Sequence, residues 1–204
     1  MVPPLIRNPV AFVVYVVVAS VTPGPNNLML VNVGAVRGGA AAARTSLGVA
    51  VGWALQILVF AVGLDALVRS IPALSDVVFI AGLGYLVWLA VRLLRTDELG
   101  AASPMHGFVG AIGYQWVNPK AISMSISTAG LFVATGSTSR WASALAVAVG
   151  AAILNLPCTL LWGLGGARLA PRLGDRRAVA RFHRVAALTL LAMVAWLSIE
   201  RLAS

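Results

Sequence analysis

The sequence predicts an all-α membrane protein of six transmembrane helices, arranged as two inverted three-helix repeats with the first and fourth helices broken. Three observations point there. Apolar residues make up 60% of the 204 positions and charged residues only 10%, far from the shares of soluble globular domains. The apolar residues gather into six runs of roughly 20, the number that crosses a hydrocarbon core of about 30 Å at about 1.5 Å per residue. Two of these runs carry prolines and asparagines near their middles, where a continuous membrane helix avoids both.

The first span runs approximately from Pro9 to Val33. Val18-Ala19-Ser20 loosely resembles the cleavage site of a signal peptide. The apolar run resumes beyond Asn27, however, and Arg7 alone makes a thin basic region before it, so the segment reads as a retained span. The second covers Thr45 to Leu64, the third Ser75 to Leu94, the fourth Gly107 to Ala134 and the fifth Ala142 to Gly165. The sixth, Val185 to Leu202, loses its uninterrupted apolar character at Glu200. It fits by tilting little, by thinning the bilayer or by letting Arg201 snorkel, and a five-span arrangement is the alternative. Residues 1–204 thus form a single transmembrane domain, with repeats of approximately 9–94 and 107–202.

Arginine sets the orientation, because cytoplasmic loops hold the excess of positive charge. Of fourteen arginines, Arg37 and Arg44 fall in the first loop, Arg92 and Arg95 in the third, and Arg168, Arg172, Arg176, Arg177, Arg181 and Arg184 in the fifth. Only Arg7, Arg69, Arg140 and Arg201 fall on the other side. The odd-numbered loops are expected in the cytoplasm and both termini outside, in the plane of a bacterial inner membrane. The net charge of +9 is dispersed over short loops rather than concentrated in a contiguous basic face, which argues against a nucleic-acid partner.

The interruptions carry the functional signal. The first is Thr22-Pro23-Gly24-Pro25-Asn26-Asn27 and the second Trp116-Val117-Asn118-Pro119-Lys120-Ala121. Prolines remove backbone donors, and asparagines are costly in hydrocarbon without partners, so both spans are expected to unwind there. If the chain is two three-span repeats, the odd number of spans inverts the second, and Pro25 and Pro119 become counterparts. Gly48-Val49-Ala50-Val51-Gly52 and Ala146-Val147-Ala148-Val149-Gly150 repeat at a similar offset. Paired interruptions point to a transporter site at the midplane, where helix termini and freed carbonyls bind charged groups. A lone proline would instead read as a kink.

Lys120 is the one lysine in the chain and is placed inside the bilayer, where a charge costs at least about 2.5 to 3.5 kcal/mol on insertion scales. It needs a wet cavity or a partner, and a substrate carboxylate would serve; the structural alternative is a bond to unwound carbonyls of the first span. The acidic residues Asp65, Asp76, Asp97, Glu98, Asp175 and Glu200 all fall at span ends or in loops. A cationic side-chain pocket is therefore disfavoured, and neutral or apolar amino acids are the expected substrates. Gln56, Tyr114, Gln115, Asn155 and Pro157 are further polar or proline positions inside spans, each able to line the same cavity or to bond between helices. The spacing of Gly48 and Gly52 suits close helix packing, and Trp53, Trp88, Trp141, Trp162 and Trp196 suit interfacial anchoring or bundle packing.

At these residues the sequence resembles the lysine exporter (LysE/RhtB) family of amino-acid efflux transporters. The marks are Thr22-Pro23-Gly24-Pro25-Asn26, Arg37-Gly38 followed by Gly48 and Gly52, Ala81-Gly82-Leu83-Gly84-Tyr85-Leu86, and Asn118-Pro119-Lys120-Ala121. The resemblance implies secondary active efflux of amino acids or their derivatives, driven by an ion gradient, with no organic cofactor. The stretch from Ser127 to Gly136 lacks a proline-containing ending associated with the family, and Asn155 stands where many members carry an acid.

On this reading the substrate-binding residues are Thr22, Pro23, Gly24, Pro25, Asn26, Asn27, Asn118, Pro119, Lys120, Gln56 and Asn155. The partners are an amino acid, the lipid bilayer and a coupling ion, expected to be the proton; glycine-rich faces also suit a homodimer. Other classes fit less well. An intramembrane enzyme needs a nucleophile with a base at depth, and Cys158, Ser123, Ser125 and Ser127 have no histidine partner there, His106 and His183 being at segment edges. A metal-ion exporter needs ligands inside the spans, where only Cys158 qualifies, and no resident metal or cofactor is expected. Another small-solute exporter or a non-transporting scaffold completes the alternatives.

Overall fold

The computed structural model describes residues 5–64, 80, 83–84, 86–88, 90–95, 106–134, 140–173 and 176–203. Most of the expected third span, and the acidic residues Asp65, Asp76, Asp97, Glu98 and Asp175, lie outside the described residues. Among the described residues there is no strand, and one isolated antiparallel bridge pairs Ile6 with Val133.

Helix α1 is Pro9–Val21. Its N-cap Asn8 sits in the left-handed region at φ 46° and accepts from the Ala11 N–H at 3.3 Å. Helix α2 is Pro25–Val59 and loosens into a π-helical turn at Phe60–Leu64. It is two arms: Gly38, at φ 80° and ψ 175°, breaks the helical geometry, and the arms fold back on each other. Gly34 and Ala42, on opposite sides of Gly38, accordingly both pack against Gly163.

The expected loop around Arg37 and Arg44 thus shrinks to one residue. The Gly-Gly-Ala-Ala-Ala-Ala stretch 38–43 explains this: alanine favours helix, and glycine supplies the positive φ that the reversal requires.

Helix α3 is Gly107–Gln115, α4 is Pro119–Phe132 and α5 is Arg140–Leu169. A 3₁₀ turn at Ala170–Leu173 leads to α6, Arg176–Ala203. Pro157 is exposed inside α5 without ending it. The 28-residue α6 begins well before the expected start at Val185; at about 1.5 Å per residue it is about 42 Å long, the added turns being the arginine-rich ones before Val185. His183 therefore falls within a helix, 1% exposed, rather than at a segment edge. Leu86, Ala90 and Leu93 of the third segment pack with Ala186, Ala187 and Leu190 of α6.

Contacts fix the helix directions. The Arg7 N–H donates to Phe132 O at 3.0 Å, so the start of α1 meets the end of α4. The Gly107 N–H donates to Thr45 Oγ1 at 3.0 Å, so the start of α3 meets the beginning of the second α2 arm. The line α1 to first arm and the line α3 to α4 are antiparallel. α5 runs beside the first line, Gly150 meeting Phe12 near its start and Gly166 meeting Val31 near its end.

One end of the bundle accordingly holds Arg37, Arg44 and Arg168. The other holds Arg7 and Arg140, whose Nη2 donates to Ala61 O at 2.7 Å.

The distribution of polarity is inverted relative to a soluble protein. Gln56, Gln115, Ser125 and Asn118 are at most 1% exposed, while Val10, Val109, Ile153 and Leu161 are 65 to 78% exposed. Water would penalise the apolar exterior, whereas lipid accepts it. The 30-residue α5, about 45 Å long, is long and apolar enough to cross a bilayer.

Candidate functional site

Both expected breaks are present, and they touch. In the first line the helix stops at Val21, passes through Thr22, Pro23 and Gly24, and restarts at Pro25. In the second it stops at Gln115, turns at Trp116 and Val117, and restarts at Pro119 after Asn118. Pro25 and Pro119 take the same local position, the first turn of the restarted helix, where a missing N–H costs nothing.

Side-chain amides join the breaks. Asn26 Nδ2 donates to Gln115 Oε1 at 2.9 Å, and Asn26 Oδ1 accepts from Gln115 Nε2 at 3.2 Å and from Asn118 Nδ2 at 3.1 Å. Asn27 Nδ2 donates back across its own break, to Ser20 O at 3.1 Å and Thr22 O at 2.9 Å. Lys120 reaches from the second break into the first: Nζ donates to Thr22 O at 2.7 Å and Pro23 O at 3.4 Å. Its stem lies over Gly24, where an added Cβ would stand 2.9 Å from Cδ.

The two restarted helices differ at their N-termini. Asn118 caps α4, its Oδ1 accepting the Lys120 N–H at 3.2 Å. Gly24 has no side chain with which to cap α2. The N–H groups of Asn26 and Asn27 thus have no carbonyl one turn back, leaving the positive end of that helix with Lys120 beside it.

A cavity of about 30 Å³ lies where these parts meet, lined among others by Ser20, Gly24, Asn26, Asn27, Trp53, Asn118, Lys120, Met124, Asn155 and Thr159. That is room for a water molecule or two, not for an amino acid. Of the residues expected from sequence, Gly24, Asn26, Asn27, Asn118, Lys120 and Asn155 line it. Thr22 and Pro23 contribute their carbonyls, and Pro25 and Pro119 start the helices that frame it. Gln56 is elsewhere: its Nε2 donates to Gln115 O at 2.9 Å and its Oε1 accepts from Ser125 Oγ at 2.8 Å. It braces the second break from behind. Tyr114 packs with Met29, Leu30, Val33, Val49 and Ala111.

Seven lining residues fall outside the expected set: Ala19, Val49 and Ala121, and the larger or polar Ser20, Trp53, Met124 and Thr159. Ser20 resembles part of a processing site, Trp53 an anchor, and Met124 and Thr159 ordinary helix positions. Yet Ser20 Oγ accepts from Asn155 Nδ2 at 2.8 Å, and Trp53 is 2% exposed, deep in the bundle rather than at its surface. For Thr159 the available signal was register, since it stands four residues, about one helical turn, after Asn155. Asn155 Oδ1 and Trp53 Nε1 are buried with no hydrogen-bond partner; such groups each cost about 1–3 kcal/mol.

A family model described as LysE type translocator matches residues 17–201. The chain is 27% identical over 160 residues to the "Cysteine/O-acetylserine efflux protein" of Salmonella choleraesuis (strain SC-B67), covering 76% of this chain and 80% of that protein. The protein of the same description from Escherichia coli O1:K1 / APEC is 27% identical over 158 residues, with the same shares. That from Klebsiella pneumoniae subsp. pneumoniae is 28% identical over 125 residues, covering 60% and 64%. No solved structure matches the chain.

Proposed function

Because this chain belongs to the LysE type translocator family, we propose that it is a secondary active exporter, carrying neutral amino acids or closely related metabolites out of the bacterial cytoplasm by alternating access. The observation that carries the proposal is the meeting of two antiparallel broken helices around a small polar cavity, with Lys120 of one break bonded to carbonyls of the other. Antiparallel broken helices are what two inverted three-span repeats would give. The relatives named for cysteine and O-acetylserine efflux favour small neutral substrates.

The chemistry is an exchange of partners. The substrate carboxylate binds at the uncapped start of α2, between the Asn26 and Asn27 N–H groups and the Lys120 ammonium. The substrate ammonium takes the Thr22 and Pro23 carbonyls that Lys120 vacates, with Asn118 beside them. The cation at the carbonyls is thus replaced by a cation, and the ammonium of Lys120 gains an anion. Since the cavity holds only about 30 Å³, the breaks separate to admit substrate, and rocking of the repeats exposes the site to either side. The Arg37, Arg44 and Arg168 end is cytoplasmic, both termini are outside, and a proton gradient drives the cycle.

The test is efflux of radiolabelled amino acids from loaded proteoliposomes under an imposed pH gradient. Wild type moves one or a few neutral amino acids, an uncoupler abolishes the gradient-driven part, and Lys120→Ala lowers transport at least about tenfold, the loss expected for one charge-assisted bond. Wild-type-like transport by Lys120→Ala would remove the lysine from the mechanism. Failure of every amino acid to move would remove amino-acid efflux itself.

A further inference from the structure

The partner exchange above accounts for the two charged ends of an amino acid and leaves two polar groups of the cavity wall unused. Asn155 is 5% exposed and Trp53 is 2% exposed; both line the cavity. Asn155 Nδ2 is held by Ser20 Oγ at 2.8 Å, which fixes the amide plane and leaves Oδ1, an acceptor, with no donor. Trp53 Nε1, a donor, has no acceptor. Two residues that line one cavity thus carry a buried acceptor and a buried donor without partners, a pair complementary to a group that is itself both donor and acceptor.

Their position separates them from the charged end. Ser20, and Asn155 through it, belong to the turn of α1 before the first break, whereas Lys120 bonds carbonyls within the break. Trp53 and Val16 share an apolar cluster with Ile57 and Phe132, on the side of the breaks where α4 ends. A substrate whose carboxylate lies at the start of α2 therefore directs its side chain toward Asn155 and Trp53. Neither carries a formal charge, and a charged side chain would find no counter-ion on either.

Resting on the exporter reading, we propose that Asn155 and Trp53, with Ser20 as the positioning residue for Asn155, form a side-chain subsite. It selects amino acids whose side chain ends in an uncharged hydrogen-bonding group, a hydroxyl, thiol or carboxamide, over aliphatic ones of equal size. A hydroxyl donates to Asn155 Oδ1 and accepts from Trp53 Nε1–H. An isosteric methyl leaves both groups unpaired, and a site built to bond a substrate hydroxyl discriminates strongly against the analogue without one.

The experiment is counterflow in proteoliposomes with matched pairs, serine against α-aminobutyrate and threonine against valine, for wild type, Asn155→Leu and Trp53→Phe. Wild type favours the hydroxyl member of each pair by about tenfold or more. Each substitution brings the ratio to within about twofold, whatever it does to the absolute rate. A wild-type ratio near one, with both members transported, overturns the subsite, leaves efflux standing and assigns the orphan groups to bound water. A preference that survives both substitutions also overturns it. If Asn155→Leu does not fold, the ratio in Trp53→Phe decides alone. If wild type transports no amino acid, the exporter reading and the subsite fall together.

Discussion

Asn26 offers the sharpest test of whether the two breaks form one unit. Asn26→Ala deletes three hydrogen bonds, two to Gln115 and one to Asn118. Gln115 Nε2 keeps the Ala111 carbonyl at 3.0 Å, but Gln115 Oε1 and Asn118 Nδ2 lose the partners described above, in side chains 0% and 1% exposed. Interhelical bonds in membranes average about 0.6 kcal/mol, so three bonds give about 2 kcal/mol. Two stranded buried groups at about 1–3 kcal/mol each raise the ceiling to about 8 kcal/mol. We expect a loss of about 2–4 kcal/mol, read by denaturant titration in mixed micelles with tryptophan fluorescence. Asn118→Ala removes the shared bond and the α4 cap, and the double variant should be less damaging than the sum by about 0.6–1.7 kcal/mol. Additivity within about 0.3 kcal/mol, or a loss from Asn26→Ala below about 0.5 kcal/mol, would refute the idea that these amides hold the breaks together.

Two further outcomes are expected. At Gly38 nothing approaches an added Cβ within 4 Å and φ is 80°, so Gly38→Ala should cost only the backbone strain of a conformation that is essentially glycine's alone, about 1–3 kcal/mol, whereas Gly166→Ala drives a methyl into the Val31 backbone and should abolish folded yield; equal melting temperatures would sink the contrast. For orientation, single cysteines at Arg37 and Arg140 in a Cys158→Ser background should label from opposite faces of intact cells, a membrane-impermeant maleimide reaching Arg140→Cys directly and Arg37→Cys only after permeabilisation; the reverse pattern inverts the topology.

The breaks were legible because proline and asparagine in hydrocarbon have few structural excuses, and Lys120 was legible because it is the one lysine in an arginine-rich chain. What sequence did not reveal is long-range. Gln56 and Asn155 have the same standing as isolated polar residues in apolar runs, and only the fold sends one behind the second break and the other to the cavity. Trp53 looks like an anchor because tryptophan is common at interfaces; its burial follows from the α2 hairpin, which a loop assigned to 34–44 concealed. The helical start of α6 was hidden by arginines, which interrupt an apolar run without interrupting a helix.

The contact between α2 and α5 limits how this molecule can move. Gly34 and Val31 meet Gly163 and Gly166 backbone to backbone, so no rotamer change can relieve or loosen the seam. Those two elements belong to opposite halves of the chain, so in the proposed rocking this stiff seam would be the pivot and not the opening. A path to the cavity must then open along seams closed by flexible side chains, and Lys120 and Met124, both on α4, are such closures. Gly48 and Gly52 of α2 meet the Phe108 and Ile112 backbone of α3 in the same way, so in mechanical terms the glycine seams of α2 with α5 and α3 are the bearing, and α4 is the part the proposed cycle would swing.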